Sequence, residues 1–168
     1  MIRPLALLAL AGFVAGCGDT ATPTEAGAPA SASASASAPT APTVDRTAAL
    51  TALPAPYNEA DLDNGRRVFA RCRSCHTLPE GGSNMTGPNL YGVFGRRAGA
   101  QPGYRYSDAL KAAGFTWDGE HLDQWLESPR TYLVGTKMSF AGIPDPTDRR
   151  DVIAYIKVET GYEPPARP

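Results

Sequence analysis

Two thiols and an imidazole lie close together in the run Cys72-Arg73-Ser74-Cys75-His76. A C-x-x-C-H pattern is typical of haem c attachment, in which each thiol adds to one vinyl group of the porphyrin. Two intervening residues allow a tight turn to reach both vinyl groups, and the histidine that follows lies beneath the ring to ligate iron. The spacing therefore predicts one covalent haem c on Cys72 and Cys75, with His76 as a metal ligand.

Paired cysteines also occur in zinc sites and in thioredoxin-like disulfide centres. A cysteine zinc site would need a second cysteine pair, and a redox disulfide would lie beside a βαβ pattern. The sequence has only three cysteines and shows no βαβ pattern. We therefore interpret this motif as a haem site.

The sixth position on the iron needs a ligand from another part of the chain. His121 stands among polar residues in the first turn of a predicted helix, so we expect it at the surface. Met1 belongs to a predicted signal peptide, which leaves Met85 and Met138. Chain reach excludes neither of these two methionines, so the residues alone leave the choice open.

The amino terminus has the anatomy of an export signal. A positive charge at Arg3 precedes an apolar stretch at residues 4–14, which ends in the small residues before Cys17. We predict a lipoprotein signal peptide over residues 1–16, with lipid attachment at Cys17. An ordinary signal peptide with Cys17 idle is the alternative, and the apolar stretch is shorter than the roughly 18 residues of a spanning helix.

The next segment contains little that could pack. Residues 17–56 are rich in Ala, Ser, Pro and Thr, which predicts a disordered linker behind the lipidated cysteine. Residues 57–168 then form the folded domain. The whole chain of 168 residues has a formal net charge of −1, which argues against a strongly basic nucleic-acid binder, so we expect no nucleic-acid partner.

Two helices are predicted to cross within the domain. A helical pattern begins near Asp61, and Gly65 lies on its apolar face. Glycine inside a helix costs about 1 kcal/mol relative to alanine, so Gly65 predicts the close approach of another backbone. The last helix is the natural neighbour, with Asp145 as its N-cap and Pro146 at its first position.

The rest of the domain predicts further short helices and long loops. A helix carrying Leu122, Trp125 and Leu126 should end before Pro129, and a short helical turn should lie near residues 108–113. No stretch alternates as a strand does. We predict an all-α fold of about four to five helices, wrapped with long Gly- and Pro-containing loops around one haem.

The chain resembles class I cytochrome c of the mitochondrial type over about residues 60–158. The matching landmarks are Gly65, Phe69, residues 72–77, residues 86–96 (TGPNLYGVFGR), Trp117, residues 135–143 (GTKMSFAGI) and residues 153–155 (IAY). In that family the methionine of the G-T-K-M segment ligates the iron. The resemblance therefore implies Met138 as the second metal ligand and Met85 as a loop residue.

The resemblance also implies roles around the haem. Pro88 would present its carbonyl oxygen to the second ring nitrogen of His76, which fixes the tautomer of that ligand. Phe140 would pack at the exposed haem edge. Buried haem propionates need hydrogen-bond donors and a cation. The residues implied for that role are Arg96, Tyr106, Ser107, Trp117 and Thr136, although Tyr106 and Trp117 could equally be core aromatics.

Two positions depart from the family pattern. Trp125 stands where the family usually has a tyrosine near the methionine sulfur, and Leu110 stands where it usually has an asparagine. Both changes alter polar contacts on the methionine side of the haem.

The resemblance implies a monomeric electron carrier rather than an enzyme. Its donor would be quinol:cytochrome c reductase, and its acceptor a haem-copper oxidase or a photosynthetic reaction centre. With the lipid anchor, we expect it on the periplasmic side of a bacterial membrane. Two alternatives stay open: a haem peroxidase or gas sensor with a labile methionine ligand, and an interaction module of a larger oxidase.

Overall fold

The computed structural model describes residues 45–164, which form six helices and no extended strand. The helices are α1 (Arg46–Thr51), α2 (Leu62–Phe69), α3 (Asp108–Ala112), α4 (Gly119–Glu127), α5 (Pro129–Tyr132) and α6 (Pro146–Glu159). A 3-10 turn at Tyr57–Glu59 joins α1 to α2. The all-α prediction is confirmed. None of the helices in these residues has the length and apolar character needed to cross a membrane.

Helices α2 and α6 cross at Gly65, as the sequence predicts. A methyl group at Gly65 would lie 2.7 Å from Cβ of Tyr155, so only glycine permits this separation of the two backbones. Phe69 and Tyr155 then pack with ring centroids 5.6 Å apart, and Val152 is fully buried at the same crossing. This crossing packs α2 against the last helix of the domain.

Both crossing helices begin where the sequence predicts, directly after an aspartate. The Asp61 carboxylate accepts hydrogen bonds from the amides of Asp63 and Asn64, at 2.8 and 2.9 Å. Asp145 caps α6 in the same way, and Pro146 occupies a first-turn position that has no intrahelical hydrogen bond to lose. Local cap chemistry therefore fixes where these helices start.

The structure differs from the prediction of a disordered linker that runs to residue 56. Helix α1 lies within that segment, with Asp45 as its N-cap. Leu53 is only 4% exposed and packs in a cluster with Ala154 and Val158 of α6, while Arg46 forms an ion pair with Glu159. The Ala-rich composition did not predict this short helix, which is stabilised by its contacts with α6. The predicted signal peptide, Cys17 and the rest of the predicted linker lie outside the described residues.

Helix α4 supplies the apolar layer next to the loops. Leu122, Trp125 and Leu126 are buried on one face, and the helix ends at Glu127, before Pro129, as predicted. Pro129 then opens α5, because a proline is accepted in the first turn of a helix. Residues 133–145 form the long loop that leads to α6.

Candidate haem-binding site

One cavity of about 270 Å³ lies among the loops. Its walls come from residues within segments 71–76, 86–88, 104–110 and 136–140, with Trp125 from α4. None of the lining residues belongs to α1, α2 or α6. The helical frame therefore presents loop segments, with single residues of α3 and α4, to one concave site, as is usual for a cofactor pocket.

The C-x-x-C-H run forms a tight turn directly after α2. The amides of Cys75 and His76 both donate to the carbonyl oxygen of Cys72, at 2.9 and 3.0 Å. This turn brings both thiols and the imidazole to the cavity wall, and both cysteines are free and partly buried. Burial raises the pKa of the Cys72 thiol to about 11, so this thiol stays protonated at neutral pH.

The His76 ring is held in one tautomer. Its Nδ1 donates a hydrogen bond to the carbonyl oxygen of Pro88 at 2.8 Å, which leaves Nε2 with a free lone pair. Burial lowers the pKa of His76, although the bond to Pro88 acts in the opposite direction. A neutral imidazole with a fixed Nδ1 proton is the form that binds a metal through Nε2.

Gly87 allows the backbone to approach this ring. A methyl group at Gly87 would lie 2.7 Å from Nε2 of His76, and the Gly87 amide donates to the carbonyl oxygen of Cys75 at 2.8 Å. Sequence reasoning treated Gly87 only as part of a matching run. Its position directly before Pro88 is the signal that could have revealed its role.

The two methionines in the described residues lie in different environments. Met138 is half-buried and lines the cavity, and its amide donates to the Thr136 hydroxyl at 3.2 Å. Met85 does not line the cavity and is 48% exposed. The structure therefore brings Met138, and not Met85, to the same cavity as His76.

Three of the five residues implied for the propionates line the cavity, namely Tyr106, Ser107 and Thr136. The other two, Arg96 and Trp117, do not line it. The Arg96 guanidinium donates to the carbonyl oxygens of Tyr91 and Asn89, at 2.9 and 3.1 Å. The ring of Trp117 packs on that of Trp125, with centroids 5.4 Å apart. These two residues therefore support loops and rings next to the cavity.

Three further residues singled out in the sequence line the cavity, namely the two that depart from the family pattern and the one expected at the haem edge. Its walls include Leu110, Trp125 and Phe140. Tyr104 lines it as well, and its hydroxyl donates to the carbonyl oxygen of Thr86 at 2.6 Å. Sequence reasoning missed Tyr104, although its spacing of two from Tyr106 in a loop was an available signal. The two rings pack edge to face at 4.7 Å.

His121 lies away from this site, as expected. Its Nδ1 lies 2.8 Å from a carboxylate oxygen of Asp118, its ring stacks on Phe115, and it does not line the cavity.

The residues of this site fit a covalently attached haem. Two free thiols, a tautomer-fixed imidazole and a thioether line one mainly apolar cavity, and hydroxyl groups lie in the same wall. Thiols can attach a haem covalently, and an imidazole and a thioether can ligate its iron. Hydroxyl groups can donate hydrogen bonds to the haem propionates. The fold and this site define a small all-α haem protein.

Comparison with known proteins agrees with that class. The sequence model of the cytochrome c family matches residues 62–158, so the chain belongs to the cytochrome c family. Cytochrome c of Cochliobolus lunatus is 43% identical over 105 residues, which cover 62% of this chain and 97% of that protein. Cytochrome c2 of Rhodomicrobium vannielii is 41% identical over 114 residues, covering 68% and 91% of the two chains.

A solved structure shows the same fold. Cytochrome cH from Methylobacterium extorquens matches with a TM-score of 0.55 and 46% sequence identity, and the match covers 58% of this chain and 98% of that one. Proteins of this family bind one covalent haem c with iron and carry electrons. The chain is therefore an electron-transfer cytochrome rather than an enzyme.

Proposed function

We propose that this cytochrome is tethered to a bacterial membrane on its periplasmic side and shuttles single electrons. Its donor is quinol:cytochrome c reductase, and its acceptor is a haem-copper oxidase or, in a phototroph, a photosynthetic reaction centre. The observation that supports the electron-carrier chemistry is the presence of His76 and Met138 in the walls of one cavity. If both residues bound the iron of a haem held there, no position would remain open for a substrate.

The proposal assigns the iron ligands and the covalent links. Cys72 and Cys75 form the thioethers, His76 binds through Nε2, and Met138 binds through sulfur. Haem c supplies reversible one-electron exchange at its iron, and a thioether ligand raises the potential relative to a second imidazole. Pro88 keeps the proton on Nδ1 of His76, so the ligand does not change tautomer when the electron moves.

The remaining site residues tune and enclose the cofactor. Tyr106, Ser107 and Thr136 donate to the propionates, whose negative charge needs polar partners in a buried site. Arg96 and Trp117 act one contact further away: Arg96 holds the carbonyl oxygens of residues 89 and 91, and Trp117 supports Trp125. Phe140 covers the haem edge, and Trp125 lies in the same wall as Met138.

The lipid anchor is proposed from the sequence. Cys17 follows an apolar stretch and small residues, and the composition of the residues after it is that of a linker. Both features lie outside the described residues. Anchoring would keep the domain near membrane-bound donors and acceptors, which raises their effective concentration.

Charge makes such a tether useful. Residues 57–168 carry 14 basic and 14 acidic side chains, which cancel before haem is counted, so long-range electrostatic steering is weak. A local cationic rim remains, formed by Arg71, Arg73, Arg130 and Lys137. Arg71 and Lys137 line the cavity, Arg73 lies between two lining residues in the sequence, and Arg130 donates to the lining residue Ser139. These four side chains are exposed, and no carboxylate of the described residues lies within ion-pair distance of them. We infer that the rim orients docking after the tether has brought the partners together.

Tethering is tested with the acceptor oxidase in proteoliposomes. Wild-type protein is compared with Cys17→Ser, purified without lipid and added at the same bulk concentration. We expect faster oxidase turnover with the anchored form, and a smaller dependence of that turnover on salt. Equal rates for the two forms would exclude a role for the tether in electron delivery.

Ligation is tested by spectroscopy of the purified holoprotein. The ferric protein should show the weak near-infrared sulfur-to-iron band, and the reduced protein should not bind carbon monoxide. Met138→Ala should lose the band, whereas Met85→Ala should retain it. Wild-type protein without the band that binds carbon monoxide readily would instead favour a peroxidase or gas sensor.

A further inference from the structure

We propose that Arg149 is a positioning residue for Met138: its guanidinium holds the end of the methionine-bearing loop against α4 and α6. This inference rests on the proposed role of Met138 as an iron ligand. It assigns to Arg149 control over how readily that ligand leaves the iron.

The Arg149 side chain is buried and makes contacts in two directions. Its Nη1 donates to the carbonyl oxygens of Ile143 and Pro144, both at 2.9 Å. Its Nε donates to a carboxylate oxygen of Asp123 at 2.8 Å. One planar group on α6 therefore joins the end of loop 133–145 to helix α4.

The same end of the loop is packed tightly against α4. Ile143 is fully buried, and its amide donates to the carbonyl oxygen of Leu126 at 2.8 Å. Gly142 has a φ of +98°, and a methyl group there would lie 3.0 Å from the carbonyl carbon of Glu127. The loop backbone therefore lies directly on the carboxyl end of α4, the helix that also contributes Trp125 to the cavity.

The chain between Met138 and this fixed point is short and weakly held. Within residues 139–142, the hydrogen bond found in the structure joins the Arg130 guanidinium to the Ser139 hydroxyl at 3.0 Å, and both side chains are exposed. The buried contacts at Ile143 and Pro144 therefore define where the loop ends. If Arg149 is removed, two carbonyl oxygens lose their donor, and Met138 lies only five residues from the loosened point.

The two partners of Arg149 should not matter equally. The Asp123 side chain is 37% exposed, so water can replace Arg149 as its partner. The carbonyl group of the fully buried Ile143 has less access to water, and an unpaired buried carbonyl is unfavourable. We therefore expect the bonds to the loop, rather than the ion pair, to control Met138.

The test measures competition for the iron by added imidazole in the ferric holoprotein. Imidazole can bind only when Met138 leaves, so its apparent affinity reports the fraction of open sites. Arg149→Gln should bind imidazole about tenfold more tightly than wild type and lose the sulfur-to-iron band at lower imidazole concentrations. Asp123→Asn keeps a hydrogen-bonding partner for Arg149 and should stay within about twofold of wild type.

Arg150→Gln is the matched control for a general loss of stability. Arg150 is the next residue on α6, but its guanidinium bonds to Asp151 rather than to the loop. The thermal unfolding midpoint of each variant is measured alongside. If Arg149→Gln does not fold, Arg149→Lys replaces it, because an ammonium group cannot reproduce the four bonds that the planar guanidinium makes.

Two results would overturn the inference while leaving the proposed ligation intact. The first is wild-type imidazole affinity in a folded Arg149 variant. The second is an equal increase in affinity in Arg150→Gln at an equal loss of thermal stability, which would make the effect global. A wild-type protein that shows no sulfur-to-iron band would overturn the proposed ligation itself, and the inference with it.

Discussion

Lys157 is a buried cation that should make the stability of the protein depend on pH. It is only 3% exposed, and its Nζ lies 3.7 Å from the ring centroid of Tyr162, 3.9 Å from that of Phe94 and 5.3 Å from that of Tyr57. No carboxylate of the described residues forms an ion pair with it. Burial lowers the pKa of Lys157 from 10.5 to about 8. The perturbation that tests this is Lys157→Met, which keeps the length of the side chain and removes the charge.

The sign of the effect follows from the two pKa values. The unfolded chain keeps the Lys157 proton up to about pH 10.5, whereas the folded protein releases it near pH 8. Between these values the unfolded state binds more protons, so the free energy of unfolding of wild type rises with pH. At 1.36 kcal/mol per pKa unit, a lowering of this size raises the free energy of unfolding by about 3 kcal/mol across this pH range. That figure is an upper limit, because the three aromatic rings favour the ammonium form.

The assay is urea unfolding of the holoprotein, followed by circular dichroism, between about pH 7 and pH 10.5, the range that spans the two pKa values. Lys157→Met should be more stable than wild type below pH 8, and the difference should shrink towards zero as the pH approaches 10.5. All other titratable side chains are common to both proteins, so the difference between them reports on Lys157. Lys111→Met removes the charge of an exposed lysine and is the matched control for the substitution itself. A difference that stays constant with pH would refute the reasoning.

Three further substitutions test other features of the fold. Gly65→Ala should lower the free energy of unfolding by about 1–3 kcal/mol, because the new methyl group meets Tyr155; urea unfolding measures this loss, and an unchanged midpoint would contradict it. Leu53→Ala should increase hydrogen exchange at the amides of α1 while those of α2 stay protected, since the lost contacts are local to the docked segment; equal loss of protection in both helices would show that α1 is part of the global fold. Gly87→Ala should reduce the yield of holoprotein, measured by haem absorbance per chain, because the methyl group displaces the His76 ring.

Local chemistry explains which parts of the fold could be predicted. The start of α2 near Asp61, the cap Asp145 and the close approach at Gly65 depend on neighbouring residues and on one helix-helix contact, and all three are confirmed. Helix α1 could not be predicted, because a helix of six residues is not stable alone and forms only through its contacts with α6. Composition describes a segment and contains no information about the surface on which it docks.

In the haem site too, features that depend on neighbouring residues could be predicted, whereas features that depend on the path of the chain could not. The C-x-x-C-H spacing indicates haem attachment because both thiols and the imidazole act within one turn. The choice between Met138 and Met85 depends on the path of a long loop, which the residues alone left open and for which the family resemblance implied Met138. Arg96 and Trp117 were implied to surround the propionates, yet the structure has them contacting backbone and rings beside the cavity.

The crossing of α2 and α6 joins two segments that lie far apart in the sequence. The side-chain amide of Asn64 reaches the Asp151 carboxylate across 87 positions of sequence, at 3.0 Å. A contact this distant along the chain requires a long loop to close, and contacts of this kind slow folding. The first of the two helices has no partner until the last one has been synthesised. The C-x-x-C-H turn directly follows α2, so its place in the fold depends on this contact with the last helix.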